Sequence, residues 1–73
     1  MDKQQLEKRY PVGSHITFRG YGGTTEFAIV TGYTMWTRAA WNVDVLVAGP
    51  YPGARTHQRS INPKWIMTCE KKQ

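Results

Sequence analysis

The sequence predicts a small, mostly β domain of five short strands, on the strength of three observations. Short stretches of the chain alternate polar and apolar residues, as half-buried strands do. Clusters of glycine and proline separate these stretches, as turns between strands do. The chain has 73 residues, which is enough for one domain and too few for two. Short strands joined by turns in a chain of this size favour a barrel or a sandwich over a helical bundle.

The segment before the first strand is predicted to be an arm. Residues 2–9 have the composition of a short helix, with Asp2 as its N-cap and Pro11 beyond its end. Leu6 is the one apolar side chain in this stretch that could dock such a helix, so a disordered arm is an equally good interpretation. The sequence thus divides into a helical or disordered arm over 1–11, a β domain over 12–69 and a charged tail over 70–73.

The first two strands are predicted on either side of a glycine-rich turn. Strand one covers His15–Arg19 and ends at 20–23, because glycine accepts positive φ and offers no side chain to pack. Strand two runs over about 26–34, and Gly32 within it predicts a bulge or a sharp bend. The segment 35–40 is then interpreted as the connecting loop.

Three further strands are predicted, each bounded by turn residues. The third has the clearest alternation and places Trp41 on the same face as three valines, in the core. Trp65 falls in the last strand and is placed in the core in the same way. The predicted segments are a strand over 41–48, a loop over 49–53, a strand over 55–61, a tight turn over 62–64 and a strand over 65–69.

Four segments taken in order resemble an SH3-like barrel. They are Val-Gly-Ser-His-Ile at 12–16, Ala-Ile-Val-Thr-Gly-Tyr at 28–33, Val-Asp-Val at 43–45 and Ile-Asn-Pro-Lys-Trp-Ile at 61–66. In that family the last motif is a strand, a one-turn 3₁₀ helix and a closing strand. The resemblance covers about 12–69 and implies a five-stranded barrel, while these structural motifs imply no particular activity.

The chain is strongly basic. Ten Lys and Arg face five Asp and Glu, and no acid lies between Asp44 and Glu70. A field of this sign attracts nucleic acid, anionic lipid or an acidic protein surface. A solvated surface that keeps the protein soluble is an equally good interpretation.

The residue types that carry catalysis or bind metal are sparse. One Cys and two His cannot supply a four-ligand zinc site, and Cys69 has no histidine near it in the sequence that could activate it as a nucleophile. We therefore expect no catalytic residue, metal or cofactor, and no enzyme. Cys69 is the only cysteine, so no internal disulfide can form, which favours a reducing cytoplasm. No apolar run approaches the length of a membrane span.

The fourth predicted strand carries the sharpest candidate binding surface. Arg55, His57 and Arg59 alternate, so in a strand their side chains would share one face. Three basic groups would repel one another in a core, so this face is expected to meet water or a partner. A stripe of this kind also protects an edge strand from aggregation.

Aromatic residues in the predicted loops form a second set of candidates. Trp36 lies two residues from Arg38, and Tyr51 lies four residues from Arg55. Aromatic residues beside arginine are enriched at binding hot spots and suit stacking on unpaired bases. A lid over the open end of the barrel is an equally good interpretation. The remaining basic candidates for partner binding are Lys64, Lys3, Lys8 and Arg9.

Three functions fit these residues. The first is a protein-binding adaptor or inhibitor that docks on an acidic surface of a larger assembly. The second is a module for RNA or single-stranded DNA, in which arginines neutralise phosphates and aromatic residues stack on bases. The third is an aromatic cage for a methylated side chain, which needs a nearby acid, and only Glu26 and Asp44 lie within the domain.

A stand-alone basic barrel without catalytic motifs is also similar to small phage-encoded proteins that bind bacterial RNA polymerase. That resemblance implies a monomeric regulator in the host cytoplasm, which inhibits initiation or promotes antitermination. It would act by occupancy, shifting the polymerase between functional states through differential binding.

Overall fold

A computed structural model describes residues 2–38, 40–49 and 53–70 of the chain. Five strands, one α-helix and two 3₁₀ turns make up these residues. In chain order they are α1 (Lys3–Arg9), β1 (His15–Arg19), η1 (Tyr21–Gly23), β2 (Thr25–Thr37), β3 (Ala40–Val47), β4 (His57–Ile61), η2 (Pro63–Trp65) and β5 (Ile66–Glu70). The prediction of a mostly β domain with five strands is confirmed.

The five strands form one antiparallel sheet in the order β4-β3-β2-β1-β5. This small sheet is consistent with an SH3-like fold, but the predicted barrel is wrong, because the sheet is not closed. β4 pairs with β3 and β5 pairs with β1, and no ladder joins β4 to β5 within the described ranges. β4 and β5 are the edges of the sheet because each pairs with one neighbour, and η2 lies between the end of β4 and the start of β5.

The open sheet is nevertheless strongly curved. Four residues, 62–65, join its two edge strands. In a flat sheet of five strands the edges would lie about 19 Å apart, whereas a 3₁₀ turn rises only about 2 Å per residue. The guanidinium carbon of Arg59 on β4 also lies 5.8 Å from the ring centre of Phe18 on β1, although β3 and β2 lie between these strands in the sheet.

β2 provides part of this curvature. Its pairing with β3 shifts register between Val30 and Gly32, which confirms the bulge predicted at Gly32. The prediction of a loop over 35–40 is wrong, because Met35 pairs with Trp41 and Thr37 pairs with Ala40. β-branched and aromatic residues favour extended backbone, and they carry the ladder to the hairpin turn at Arg38.

One face of the sheet, here called the inner face, carries the core. Val43, Val45 and Val47 alternate along β3 and are fully buried, as predicted. The other buried apolar side chains are Leu6, Ile16, Phe18, Ala28, Val30 and Ile61. Trp41 is half-buried and packs against this cluster at its margin.

The amino-terminal segment is helical and belongs to the fold. The Asp2 carboxylate accepts a hydrogen bond from the Gln5 amide N–H at 2.9 Å, and the Gln5 side chain accepts one from the Asp2 amide N–H at 3.0 Å. This capping box holds the first turn. Leu6 is fully buried in the core, so α1 packs against the sheet. No helix of the described residues is long and apolar enough to cross a membrane.

Candidate functional site: the aromatic cleft

An open cleft of about 760 Å³ lies where the end of α1, the tip of the β2–β3 hairpin and η2 meet. We call it the aromatic cleft, because its walls contain all three tryptophans of the chain. The residues that define it are Tyr10, Trp36, Trp41, Trp65, Arg9 and Lys64.

The three indoles reach the cleft from three different elements. Trp36 is the next-to-last residue of β2, close to the hairpin turn, and 73% of its surface is exposed. Trp41 is opposite Met35 near the start of β3 and is half-buried. Trp65 ends η2 and is 47% exposed, so its predicted place in the core is wrong. The reason is that η2, with Pro63 at its first position, extends one residue further than the predicted turn.

Two cations border the indoles. Arg9 is the last residue of α1, and Lys64 lies in η2, where its amide N–H donates to Oδ1 of Asn62 at 2.9 Å. Among the residues that the structure describes, no acid lines the cleft and neither cation forms an ion pair. The cleft is therefore positively charged, and both charges are available to an anion.

The wall formed by the end of α1 is held by a hydrogen bond. The Tyr33 hydroxyl donates to the main-chain oxygen of Tyr10 at 2.5 Å. Burial, and to a smaller extent electrostatic interaction with Glu7 and Cys69, raises the pKa of Tyr33 above its ordinary value of 10.0. The hydroxyl therefore keeps its proton at neutral pH and remains a donor to Tyr10.

The structure separates the predicted Arg55–His57–Arg59 stripe. β4 begins at His57, so Arg55 precedes the strand and the prediction that it starts at 55 is wrong. His57 and Arg59 pair with the buried Val47 and Val45 and therefore lie on the inner face. Arg59 is half-buried rather than water-facing, because its guanidinium covers the fully buried Phe18 ring. β4 is an edge strand, as the protective interpretation requires.

Three of the sequence-predicted binding residues come together in the aromatic cleft: Arg9, Trp36 and Lys64. The others lie elsewhere. Arg38 is exposed in the hairpin turn, Lys8 is exposed on α1, and Lys3 forms an ion pair with Glu7 at 3.8 Å. Tyr51 lies outside the described residues.

Sequence reasoning missed Tyr10 and Trp65 as surface residues of the cleft. Tyr10 follows a helix whose docking depends on a single leucine, so its position follows only from the packed structure. For Trp65, the signal was the Asn-Pro pair before it, which starts a 3₁₀ turn that includes the tryptophan.

A second surface, here called the outer-face groove, lies on the side of the sheet opposite the core. It has a volume of about 560 Å³ and includes Phe27, Ile29 and Leu46. Ile29 is directly opposite Leu46 in the ladder, and Phe27 is 62% exposed. Phe27 and Ile29 are two residues apart on β2 and so share one face, but the alternation alone does not show that this face is exposed.

Groups able to bind metal or act as nucleophiles are scattered. Within 2–38, 40–49 and 53–70, no three His, Cys, Asp or Glu residues lie close enough together to hold a metal ion. His15 and His57 are exposed on different strands, and Cys69 is half-buried against the core.

Comparison of the chain with protein-family models, with curated proteins and with solved structures gives no match.

Proposed function

We propose that this chain is a small, non-enzymatic binding protein, and that single-stranded nucleic acid binds in its aromatic cleft. The observation that supports this proposal is the convergence of all three tryptophans with Arg9 and Lys64 on one open surface. Nucleic-acid binding, the second of the functions that fit the sequence, gains most from this arrangement.

The chemistry of the cleft matches a single strand at both its bases and its backbone. Exposed indoles such as Trp36 and Trp65 offer flat faces on which unpaired bases stack, at about 1–3 kcal/mol per base. Arg9 and Lys64, which have no ion-pair partner among the described residues, can neutralise phosphates. Stacking of this kind tolerates any base, so we expect little sequence preference.

The experiment is calorimetric titration of the protein with a single-stranded oligonucleotide at low salt. Trp36→Ala and Arg9→Gln should each weaken binding by about tenfold, on the scale of one stacked base or one charged hydrogen bond. Phe27→Ala and Arg55→Gln are matched controls, since both residues lie outside the cleft. Equal losses in the control variants, or no binding by the wild type, would contradict the proposal.

A second candidate function is docking on a larger protein assembly, and the outer-face groove favours it. Apolar side chains exposed together on a sheet are typical of protein interfaces and offer nothing to phosphates. The proposed partner is bacterial RNA polymerase, which the chain would regulate by occupying a site on it. The docking surface would be formed by Phe27, Ile29 and Leu46.

Co-elution of the chain with purified bacterial RNA polymerase tests this second candidate. Phe27→Ser with Ile29→Ser should abolish co-elution, whereas Trp36→Ala should leave it unchanged, because Trp36 lies at the aromatic cleft. The reverse pattern would place a protein partner at the cleft, and no co-elution by the wild type would eliminate polymerase as the partner.

A further inference from the structure

Trp65 belongs to two hollows, and the second one lies beyond the aromatic cleft. This second hollow has a volume of about 310 Å³ and is formed by Arg19, Gly20, Tyr21, Gly22, Arg59 and Trp65. We call it the arginine hollow. Because Trp65 also lines the aromatic cleft, the two hollows form neighbouring parts of one surface.

We infer that the binding surface extends past Trp65, so that a single strand held in the aromatic cleft continues into the arginine hollow. There Tyr21 stacks on a base, and Arg19 and Arg59 neutralise phosphates. This inference rests on the proposed function, since it extends the same site to a longer ligand.

Tyr21 is the first observation that supports the extension. It is 98% exposed, and its main-chain oxygen accepts a hydrogen bond from Thr24 Oγ1 at 3.2 Å. Gly22 and Gly23 beside it have φ of 76° and 82°, and a Cβ on either would meet no atom within 4 Å. The ring therefore contributes little to the packing of the fold, and both of its faces are open for stacking.

The charge of the hollow is the second observation. Arg19 is exposed and Arg59 is half-buried, and neither forms an ion pair within the described part of the chain. No acid lines the hollow within the described part of the chain, although Glu26 lies beside Gly20 and accepts a hydrogen bond from Thr24 Oγ1 at 3.2 Å. Two arginines against one carboxylate leave the hollow positive, as the backbone of a nucleic acid requires.

Together the two hollows, which share Trp65, bring aromatic rings and cations to one binding surface. From the cleft to the hollow, the rings are those of Trp36, Trp65 and Tyr21, and the cations are Arg9, Lys64, Arg19 and Arg59. Single-strand binders combine these two residue types in a groove that follows the backbone.

The test compares two homopolymer strands by calorimetric titration: one of about three nucleotides, and one of about ten, within the range of roughly 4–16 nucleotides that small single-strand binders contact. Tyr21→Ala and Arg19→Gln should lower the affinity for the long strand by about five- to tenfold and leave the affinity for the short strand unchanged. Trp36→Ala should lower the affinity for both strands. Phe27→Ala and Arg55→Gln are the matched controls.

Each result separates the inference from the proposed function. If Trp36→Ala lowers the affinity for both strands while Tyr21→Ala changes the affinity for neither, the site ends at Trp65. The inference is then wrong, although the proposed function stands. If the wild type binds neither strand, the proposed function itself fails. Because Tyr21 is almost fully exposed, its replacement should leave the circular dichroism spectrum and the urea midpoint unchanged.

Discussion

Ser14 is the one fully buried polar residue in the core region of the described chain. Its Oγ has no hydrogen-bond partner among the described residues, although its main-chain groups are bonded to Pro11 and Val30. Desolvating a hydroxyl without a partner costs free energy, so the side chain opposes folding. The local sequence gives no sign of this, because serine is ordinary in a turn before a strand.

Ser14→Ala should therefore raise the free energy of unfolding, by about 1 kcal/mol. The alanine methyl group keeps most of the volume and removes the unpaired oxygen. Urea unfolding followed by circular dichroism gives the free energy, and Ser60→Ala on the exposed side of β4 is a matched control that should change little. A loss of stability in Ser14→Ala would show that the Ser14 hydroxyl is satisfied.

Tyr33 makes the stability of the fold depend on pH in the alkaline range. Its raised pKa means that the folded protein holds the phenol proton more tightly than the unfolded chain does. Between pH 10.0 and the folded pKa, the unfolded chain binds fewer protons than the folded chain, so stability falls as pH rises. Below pH 10.0 this contribution is fully present.

Tyr33→Phe should cost about 1 kcal/mol at neutral pH, because the hydrogen bond to the Tyr10 oxygen is lost. The difference in unfolding free energy between wild type and Tyr33→Phe should then shrink as the pH is raised above 10.0. Urea unfolding of both proteins at a series of pH values measures it. A difference in unfolding free energy that stays constant across this pH range would contradict the raised pKa of Tyr33.

At the scale of elements, α1 is held to the sheet by few groups and forms one wall of the aromatic cleft. Leu6 is its buried side chain, and Arg9 and Tyr10 at its end line the cleft. A helix of seven residues is too short to be stable alone in water. Its structure therefore depends on packing against the sheet.

Leu6→Ala should lower the free energy of unfolding by about 2–5 kcal/mol, as for other buried leucines. It should also weaken oligonucleotide binding, because Arg9 and Tyr10 would lose their fixed positions. Gln4→Ala, at an exposed position of the same helix, is the control and should change neither quantity. Unchanged binding by a folded Leu6→Ala protein would show that α1 is not part of the site.

The sequence predicts the elements well where local pattern decides them. β1 has the predicted bounds, and β3 is displaced by one residue, because polar and apolar residues alternate cleanly in both. Two of the errors lie at the aromatic cleft, where 35–37 extend β2 and Trp65 belongs to η2, whereas the start of β4 is predicted two residues too early. In both places an aromatic residue lies at the end of a strand, where its environment depends on elements distant in sequence.

At the scale of the whole molecule, the strand order follows from the β1–β2–β3–β4 hairpins and from the pairing of the first strand with the last. Whether the sheet closes into a barrel does not follow from these pairings. β4 and β5 carry no local pattern that determines whether they pair, and the four residues between them bring the edges near without joining them. The same curvature places η2 opposite the hairpin tip and so creates the cleft. A prediction of strands alone therefore contains the residues of the site without their arrangement.

The salt dependence of binding measures how much of this surface a ligand contacts. Each neutralised phosphate of a single strand contributes about −0.7 to the slope of log affinity against log salt. The two cations of the cleft predict a slope of about −1.4, and the addition of Arg19 and Arg59 predicts about −2.8. Calorimetric titrations at several salt concentrations give the slope, and a value near zero would exclude phosphate contacts.

The grouping of all three tryptophans also makes the protein its own optical probe. Indole emission from this chain arises only at the aromatic cleft, with no distant tryptophan to dilute it. Any molecule that enters the cleft, nucleic acid or protein, changes the surroundings of the exposed Trp36 and Trp65 rings directly. Unlabelled protein can therefore report arrival and departure of a ligand in real time, and a partner that leaves this emission unchanged binds on another face.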